Sequence, residues 1–535
     1  MTWARAELRT GERWHWLLDL TWGDRVFYFS EDDVAATIGS DTIPYHAGLD
    51  LGGELVDEVG LFHDAAEPRS VNVTLDFPPG VDVPARVARG LDLGAATATL
   101  SLWLEGTTRV LKVLDGEFRD PEFETANDPV TGAIEELPLN DRALWPPQRA
   151  IVNATTWPNA SEAALGEYYP WILGTPTLAT TNGVFSSPGL HVDGGGATDH
   201  ILIAGHAVKA TSVPVKNATD GTAGDMTVLH KADGHGRQVA YVDLNEAGPT
   251  ITADPDHEYW LRFEDATGGG LATRDGATTM RGAGDHLLWW LQRSTLRWDR
   301  GRVEALAPRL NGFKIDSACT AAPDARVSPW AWIQEHLLDD VLPVAPRIGP
   351  SGLYFAWFEF DACAGQAIAQ IDASRGTVRA GPLSYTSRDD VANEFRVSYR
   401  VDAKRDKPTK TAVLTGSQRT LDLDSAAVPH ILCRQSDARY GTRVRELSSS
   451  VIYDDATATR VLLWLASAFA LQHRVVTYQL PLEFAHLEPG DVVTVTDSDV
   501  GLSSAVGLVQ SIPWQPSGFI EATIILLARP VEWAT

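Results

Sequence analysis

Five carboxylates fall in one stretch of the chain: Asp299, Glu304, Asp316, Glu335 and Asp339. Glycoside cleavage uses a pair of acids, but it needs the two carboxyls at a set separation across a cleft. The linear spacing here is that of solvated helix faces, so no catalytic pair is expected. His230 and His235 flank Asp233 in the loop HKADGHG, while His15, His46 and His63 are scattered through the first segment. None of these has the ligand spacing of a metal site, and structural or surface histidines are expected. Cys319, Cys363 and Cys433 are odd in number, far apart and free of any CxxC pair. They predict no disulfide framework, and thiols that are buried, reduced and structural. Trp171, Tyr241, Tyr259 and Trp260 are flat enough to stack on sugars, but a place in a β core is the expectation. The chain has no GxSxG elbow, no HExxH and no P-loop GK[ST]. Neither enzyme activity nor a cofactor is expected.

Composition sets the frame that holds these residues. The 535 residues include 18 Trp, 45 Gly and 31 Pro, with 44% hydrophobic residues, as in a turn-rich, mainly β protein of several domains. Seventy-one acidic against 44 basic residues give a formal charge of −27. That argues against gripping nucleic acid, whose phosphates are held by Lys and Arg. The N-terminal MTWARAELRTGERWHW has no apolar signal-peptide core, and the run from Val461 to Leu471 is too short to span a bilayer. Assembly in a bacterial cytoplasm is expected.

In chain order, residues 1–147 read as a first β-barrel. Alternating runs at Trp14–Leu20, Val26–Phe29, Val71–Phe77, Ala98–Leu104 and Val110–Leu114 are joined by turns, with Gly23-Asp24 as a hairpin tip. Residues 148–284 read as an inserted β-rich module. Residues 285–385 read as an α+β segment with three helices: one capped by Asp285, one over Val303–Leu310, and one begun by Ser328-Pro329. Residues 386–535 read as a second barrel with a helical and loop insertion. In it Asn393–Val401 alternates, Lys404–Lys410 is a basic loop, and Asp454 or Asp455 caps a long helix.

The stretch from Val475 to Trp533 is the most ordered in pattern. A strand at Val475–Leu480 leads to Leu487-Glu488-Pro489-Gly490-Asp491, where Pro and Gly fit the two central positions of a tight turn. Strands then follow at Val492–Val495, Gly507–Val509 and Ile520–Leu527. A helix, then "v.Y.lPl....l.pGDvV.vtd", then "G.V.si" resembles the last barrel of tail-hub proteins of tailed bacteriophages and gene transfer agents. The resemblance extends loosely over most of the chain. It implies tube-type barrels at both chain ends and no cofactor. It also implies a homotrimeric ring at the virion's tail tip, or baseplate hub, between a hexameric distal tail protein and the central fibre or tip proteins. The implied partners include the tape measure protein and, indirectly, the host cell envelope during attachment. DNA would pass through the ejection conduit without specific binding. Asp491, Asp497 and Asp499, at turns of the last barrel, are the candidate channel rim. The alternative reading is a carbohydrate-binding or carbohydrate-active tail spike or receptor-binding protein that uses its tryptophans as platforms.

Overall fold

The computed structural model describes residues 13–528 apart from 54, 56–67, 109, 126–127, 163, 177–186, 195–198, 247–250, 255, 264–278, 320–325, 339–340, 375–376, 403–406, 418–426 and 515–519. It is mainly β, with few helices.

The first sheet uses β1 (Trp14–Trp22), β2 (Arg25–Ser30), β3 (Val34–Ile38), β4 (Asp41–Ala47), β5 (Leu49–Leu51), β6 (Ser70–Leu75), β7 (Thr97–Leu104), β8 (Val110–Glu122) and β9 (Val130–Glu136). Its order is β3-β4-β2-β1-β7-β8-β9-β6-β5. β1 and β2 turn at Gly23-Asp24, with Gly23 in the left-handed region at φ +64°. Helix α1 (Val83–Ala88) is capped by Asp82, which accepts from the Ala85 N–H.

This sheet closes on itself through one residue. β4 runs parallel to β2, β5 runs antiparallel to β6, and only Gly48 separates β4 from β5. The Gly48 N–H donates to the Ser30 carbonyl at 2.9 Å, and its own carbonyl accepts from the Asp76 N–H at 2.8 Å. Residues 41–51 therefore form a bent strand whose halves serve opposite edges of the sheet. The result is a seven-stranded barrel with β3 added outside. An odd number of strands cannot alternate in direction all the way round, so one parallel contact is unavoidable. β2–β4 is that contact.

The middle of the chain carries β10 (Trp171–Leu173), β11 (Ser187–Gly194), β12 (Asp199–Ala204), β13 (Ser212–Asn217), β14 (Ala223–Thr227), β15 (Leu229–Ala232), β16 (Gln238–Asp243) and β17 (Tyr259–Leu261). β11 to β17 form a sheet of order β14-β13-β17-β11-β12-β16-β15. Again a bent strand joins the two ends: β14 pairs with β13, β15 pairs with β16, and Val228 lies between them. Six strands close here, and every contact is antiparallel.

The α+β region follows with α2 (Ala283–Leu291), α3 (Arg300–Leu310), β18 (Ser317–Cys319), α4 (Pro329–Ile333), β19 (Val344–Gly349) and β20 (Gly352–Trp357). Asp299 caps α3 and Ser328 caps α4 through their side chains. Gly282, not Asp285, precedes α2; the Asp285 N–H instead donates to the Asn311 side chain at 3.0 Å. Trp145, Trp171, Trp289, Trp290 and Trp332 pack together in this core with ring separations of 4.6–6.2 Å, mostly edge-on, with Trp290 stacked on Trp332.

The last sheet contains β21 (Ala369–Asp372), β22 (Val378–Arg379) and β23 (Ser384–Tyr385). An intervening layer holds β24 (Glu394–Asp402), β25 (Lys407–Leu414), α5 (Ala427–Tyr440), β26 (Val444–Ser448) and α6 (Asp455–Phe469), the last capped by Asp454. Lys407–Lys410 is strand rather than loop, paired with β24. The sheet is completed by β27 (Arg474–Leu480), β28 (Val492–Asp497), β29 (Leu502–Ser511) and β30 (Ile520–Leu526), in the order β21-β28-β29-β30-β27-β22. Here two successive short strands serve the two ends of the sheet: β21 is parallel to β28, and β22 is antiparallel to β27. Five strands close with one parallel contact.

After its bent strand, the first barrel runs β6, β7, β8, β9, and the last runs β27, β28, β29, β30. Within each set the first strand pairs with the fourth, the fourth with the third, and the third with the second. The first barrel differs by the β1–β2 hairpin, inserted between β7 and the bent strand. The two barrels share one apolar core. Leu55 and Trp514 exchange backbone hydrogen bonds of 3.1 and 2.8 Å, and Trp16 meets Trp514 edge-on at 6.1 Å.

Gly48 has no room for a side chain, because a Cβ there would lie 2.3 Å from the Asp76 carbonyl oxygen. Gly48→Ala is therefore expected to open the barrel corner and cost about 2–4 kcal/mol, read as a lower midpoint in denaturant. An unchanged midpoint would contradict the closure.

Candidate functional site: a cleft between the end barrels and the α+β region

A cleft of about 940 Å³ lies where the first barrel, the β19–β20 hairpin and the last barrel meet. The first barrel contributes Asp19, Tyr45 and Lys112. The α+β region contributes Asp299, Arg302 and Tyr354, and the last barrel contributes Glu488 and Trp514. Tyr45 donates its hydroxyl to Asp19 at 2.8 Å.

Arg302 is the centre of the charge arrangement. It projects from α3, makes a two-pronged contact with Glu488 at 2.8 and 2.7 Å, and lies 4.4 Å over the Tyr354 ring. A planar guanidinium can grip a carboxylate with its edge and an aromatic ring with its face at once. This pair ties α3 to the turn before β28. A second tie, Arg297 to Asp115 at 2.8 Å, joins the α+β region to the first barrel. Burial pushes the Asp115 carboxyl up, but the Thr99 hydroxyl, Arg297 and Lys112 outweigh it and hold it below the usual range.

Gly490 explains why the Leu-Glu-Pro-Gly-Asp turn sits where it does. At φ +94° it needs glycine's freedom, and a Cβ would come 2.8 Å from the Trp357 carbonyl of β20. The turn is thereby pressed onto the α+β region. Asp491 accepts from the Glu488 N–H at 2.7 Å. Burial pushes its carboxyl up to about 7; the Glu488 N–H and Arg302 oppose that shift, while the Glu488 charge reinforces it.

The three candidate rim acids are not gathered at one place. Asp491 precedes β28 and Asp497 ends it, about 20 Å apart at the rise of a strand. Asp497 is buried and accepts from the Tyr478 hydroxyl at 2.8 Å, the Asp499 N–H at 3.0 Å and Arg379 at 3.3 Å. Asp499 sits beside it and is exposed.

The other singled-out residues have local partners. Asp299 caps α3, Glu304 pairs with Arg300 at 2.9 Å, and Asp316 is fully buried against Arg281. Glu335 is exposed, and Asp339 lies outside the described residues. Of the four described, Asp299 alone lines the cleft. Asp233 is committed to its own turn, accepting from the His235 and Arg237 N–H groups, and His230 accepts from the Val208 N–H at 3.3 Å. His15 is buried 3.8 Å from Glu105, His46 is 3.6 Å from Asp33, and His63 lies outside the described residues. Among the described residues no three His, Cys, Asp or Glu side chains are arranged to hold a metal. Trp171 and Tyr259 are buried, and Tyr241 packs under Trp157 at 5.6 Å. Cys433 is buried as expected, but Cys363 is exposed, on the loop leading to β21. Sequence reasoning missed Arg302 and its partner, since 186 positions separate Arg302 from Glu488.

Residues 383–512 match the phage tail protein family Phage-tail_3, a span running from before β23 to the end of β29. A tail protein from Neisseria meningitidis MC58 aligns over 96% of each chain at 8% identity and a TM-score of 0.36. A 43 kDa tail protein of prophage MuSo2 from Shewanella oneidensis aligns over 96% of this chain and 98% of its own, at 10% identity and a TM-score of 0.32. A chain of a native gene transfer agent virion aligns over 50% of this chain and 83% of its own, at 16% identity and a TM-score of 0.21. No curated protein matches in sequence.

Asp491 provides a pH test of the turn. Its folded carboxyl holds a proton up to about 7, against 3.8 when unperturbed, so the folded state binds more protons between those values. The stability it contributes is full below pH 4, is lost as pH rises towards 7, and stays lost above. Asp491→Asn, which cannot ionise, should leave stability nearly unchanged near pH 3.5, where the carboxyl is protonated in the folded chain and largely so in the unfolded one. It should raise stability by about 1–3 kcal/mol at pH 8, measured by denaturant midpoints across that range. An equal effect at both pH values would refute the buried acid.

Proposed function

We propose that this chain, whose residues 383–512 are a phage-tail-type segment, is the structural hub of a siphophage-like tail tip. Three copies form a ring between the hexameric distal tail protein and the central fibre or tip proteins. The same ring borders the tape measure protein and the path of the ejected DNA. What supports this reading is the repeat within the chain: a pair of successive strands that serve the two ends of the sheet, followed by four strands in the same pairing order, at both chain ends. A subunit with two similar barrels lets three copies present six similar units to a sixfold partner. The role is structural and not catalytic, the place of action is the virion tail, and any contact with the host envelope is indirect.

Charge fits a passage better than a clamp. Three copies at −27 each give −81 before counterions, a surface that phosphates do not adhere to. Of the three candidate rim acids, Asp499 has the exposed carboxylate, and we place it at the channel rim. Asp491 and Asp497 support the turns on either side of β28.

Light scattering of the purified protein tests the ring. The expected mass is three times 58.1 kDa, about 174 kDa, and microscopy of the particle should show a ring with an acid or neutral lumen. A monomer at high concentration and in the particle alike, or a lumen lined mainly by Lys and Arg, would overturn the proposal.

A further inference from the structure

The stretches around the linker at 141–150 are poor in acid. Residues 142–161, 286–298 and 325–334 contain no Asp or Glu, in a chain with 71 of them. They bring four arginines to this linker: Arg142, Arg149, Arg293 and Arg326. Arg326 donates to the Pro146 and Leu144 carbonyls at 2.8 and 2.9 Å, and Val327 beside it exchanges backbone hydrogen bonds with Trp145. Arg293 lies 3.7 Å from the centre of the Trp289 ring and 5.3 Å from that of Trp145. The Arg142 N–H donates at 2.8 Å to the hydroxyl of Thr295, two residues beyond Arg293. Arg149 follows Pro146 by three residues.

Among the described residues none of the four has a carboxylate partner. Burial alone lowers the Arg293 guanidinium, to about 10, and no acid lies near enough to oppose it. Asp141, the acid at the edge of the linker, accepts instead from the N–H groups of Ala143, Thr295 and Trp330. Arg142 and Arg149 are exposed; Leu144 between them is 49% exposed and Val327 39%. Arginine beside apolar side chains is the make-up of a protein contact, whereas holding phosphates takes a row of free cations. The complement of such a surface is an acidic face of a protein.

The chain carries that complement itself. Between Arg25 and Arg69 it has ten acids and no Lys or Arg. Glu31, Asp33, Asp41 and Asp50 of this stretch are exposed, flanking β3, opening β4 and lying on β5. Burial, joined by the charges of Asp32 and Asp50, pushes the Glu31 carboxyl up against the opposing Trp16 backbone and Arg13, so negative charge is in surplus there. Asp41 and Asp50 have no cationic partner among the described residues.

We propose that the linker arginines of one copy of this chain dock on the acidic first-barrel face of a second copy. The contact is heterologous: each copy offers its arginines to one neighbour and its acids to the other, and a closed ring uses both once. It brings opposite charges together where two chains of charge −27 would otherwise repel. Leu144 and Val327 lie within the patch and lose their exposure to water in the contact. This inference rests on the ring reading above, and it names the surfaces that would make the ring.

Charge reversal tests it in the full-length chain, read by light scattering over a range of concentrations. One variant combines Arg142→Glu with Arg149→Glu, and the other combines Asp41→Arg with Asp50→Arg. Each pair should raise the concentration of half-assembly about tenfold. The acid pair is the sharper test, because it brings the formal charge to about −23 and would favour assembly if overall repulsion alone mattered. All four reversals together return the charge to −27 and should restore part of the lost assembly. Unchanged circular dichroism shows that each variant is folded, and Arg142→Gln with Arg149→Gln is the milder pair should the reversals unfold the chain. A ring whose half-assembly either pair leaves unchanged, or that the four together fail to restore, would overturn the docking and leave the ring reading intact. A parent chain that stays monomeric overturns both.

Discussion

The constraint that most of this structure answers to is the closure of β-sheets. A sheet with open edges leaves backbone donors and acceptors unpaired, and closure into a barrel removes them. Twice the chain uses one solution, a strand bent at a single residue whose halves pair with opposite ends of the sheet, and in the last barrel two short strands, β21 and β22, serve the same two ends. The corner at Gly48 shows what this demands: its N–H and carbonyl serve two different strands, and the Asp76 carbonyl occupies the place of a side chain. Where the strand count is odd, seven or five, one of the closing strands runs parallel to its neighbour. Where it is six, every contact is antiparallel. Direction follows from count.

Closure also decides where the charges go. The barrel interiors are largely apolar, and two ion pairs sit at the seams between units. Arg302–Glu488 and Arg297–Asp115 both bridge parts of the chain far apart in sequence. These pairs are partly exposed, so each adds little stability. They fix how the units sit against the cleft. Asp491 differs, because it is held beneath a turn that Gly490 presses onto β20, in a place that disfavours its charge.

Features that depend on near neighbours were legible in the sequence. The Gly23-Asp24 hairpin, the Ser328 and Asp454 caps, and the turn ending in Asp491 each need only a few adjacent residues. The closing strands were not legible, because a strand that changes partners at a corner does not keep one alternating face. β21 and β22 are four and two residues long, too short to show a period, and they lie before position 386, where sequence pattern alone placed the start of the last barrel. Asp285 has the right type for a cap, but the Asn311 side chain arrives from α3 and meets its N–H instead. Lys407–Lys410 has the composition of a loop, yet it pairs with β24 because Ala412 and Leu414 further along the strand are buried. The exposure of Cys363 depends on where its loop runs, which no local pattern encodes.

The two end barrels share a strand order but not a size. Barrel diameter grows with strand number, so the seven-stranded barrel is wider than the five-stranded one. The difference is the β1–β2 hairpin, which stands between β7 and the bent strand in the first barrel and has no counterpart in the last. In the ring we propose, a sixfold partner would meet wide and narrow barrels in alternation. It could treat them alike only through what they have in common, the four-strand run and the closing strand that pairs with its first member. What differs, the inserted hairpin and the projecting β3–β4 pair, is then free to serve contacts between copies. The same separation suits the middle barrel: it closes with an even count and carries its own apolar core, so its outer surface is free to vary without disturbing the repeat on either side.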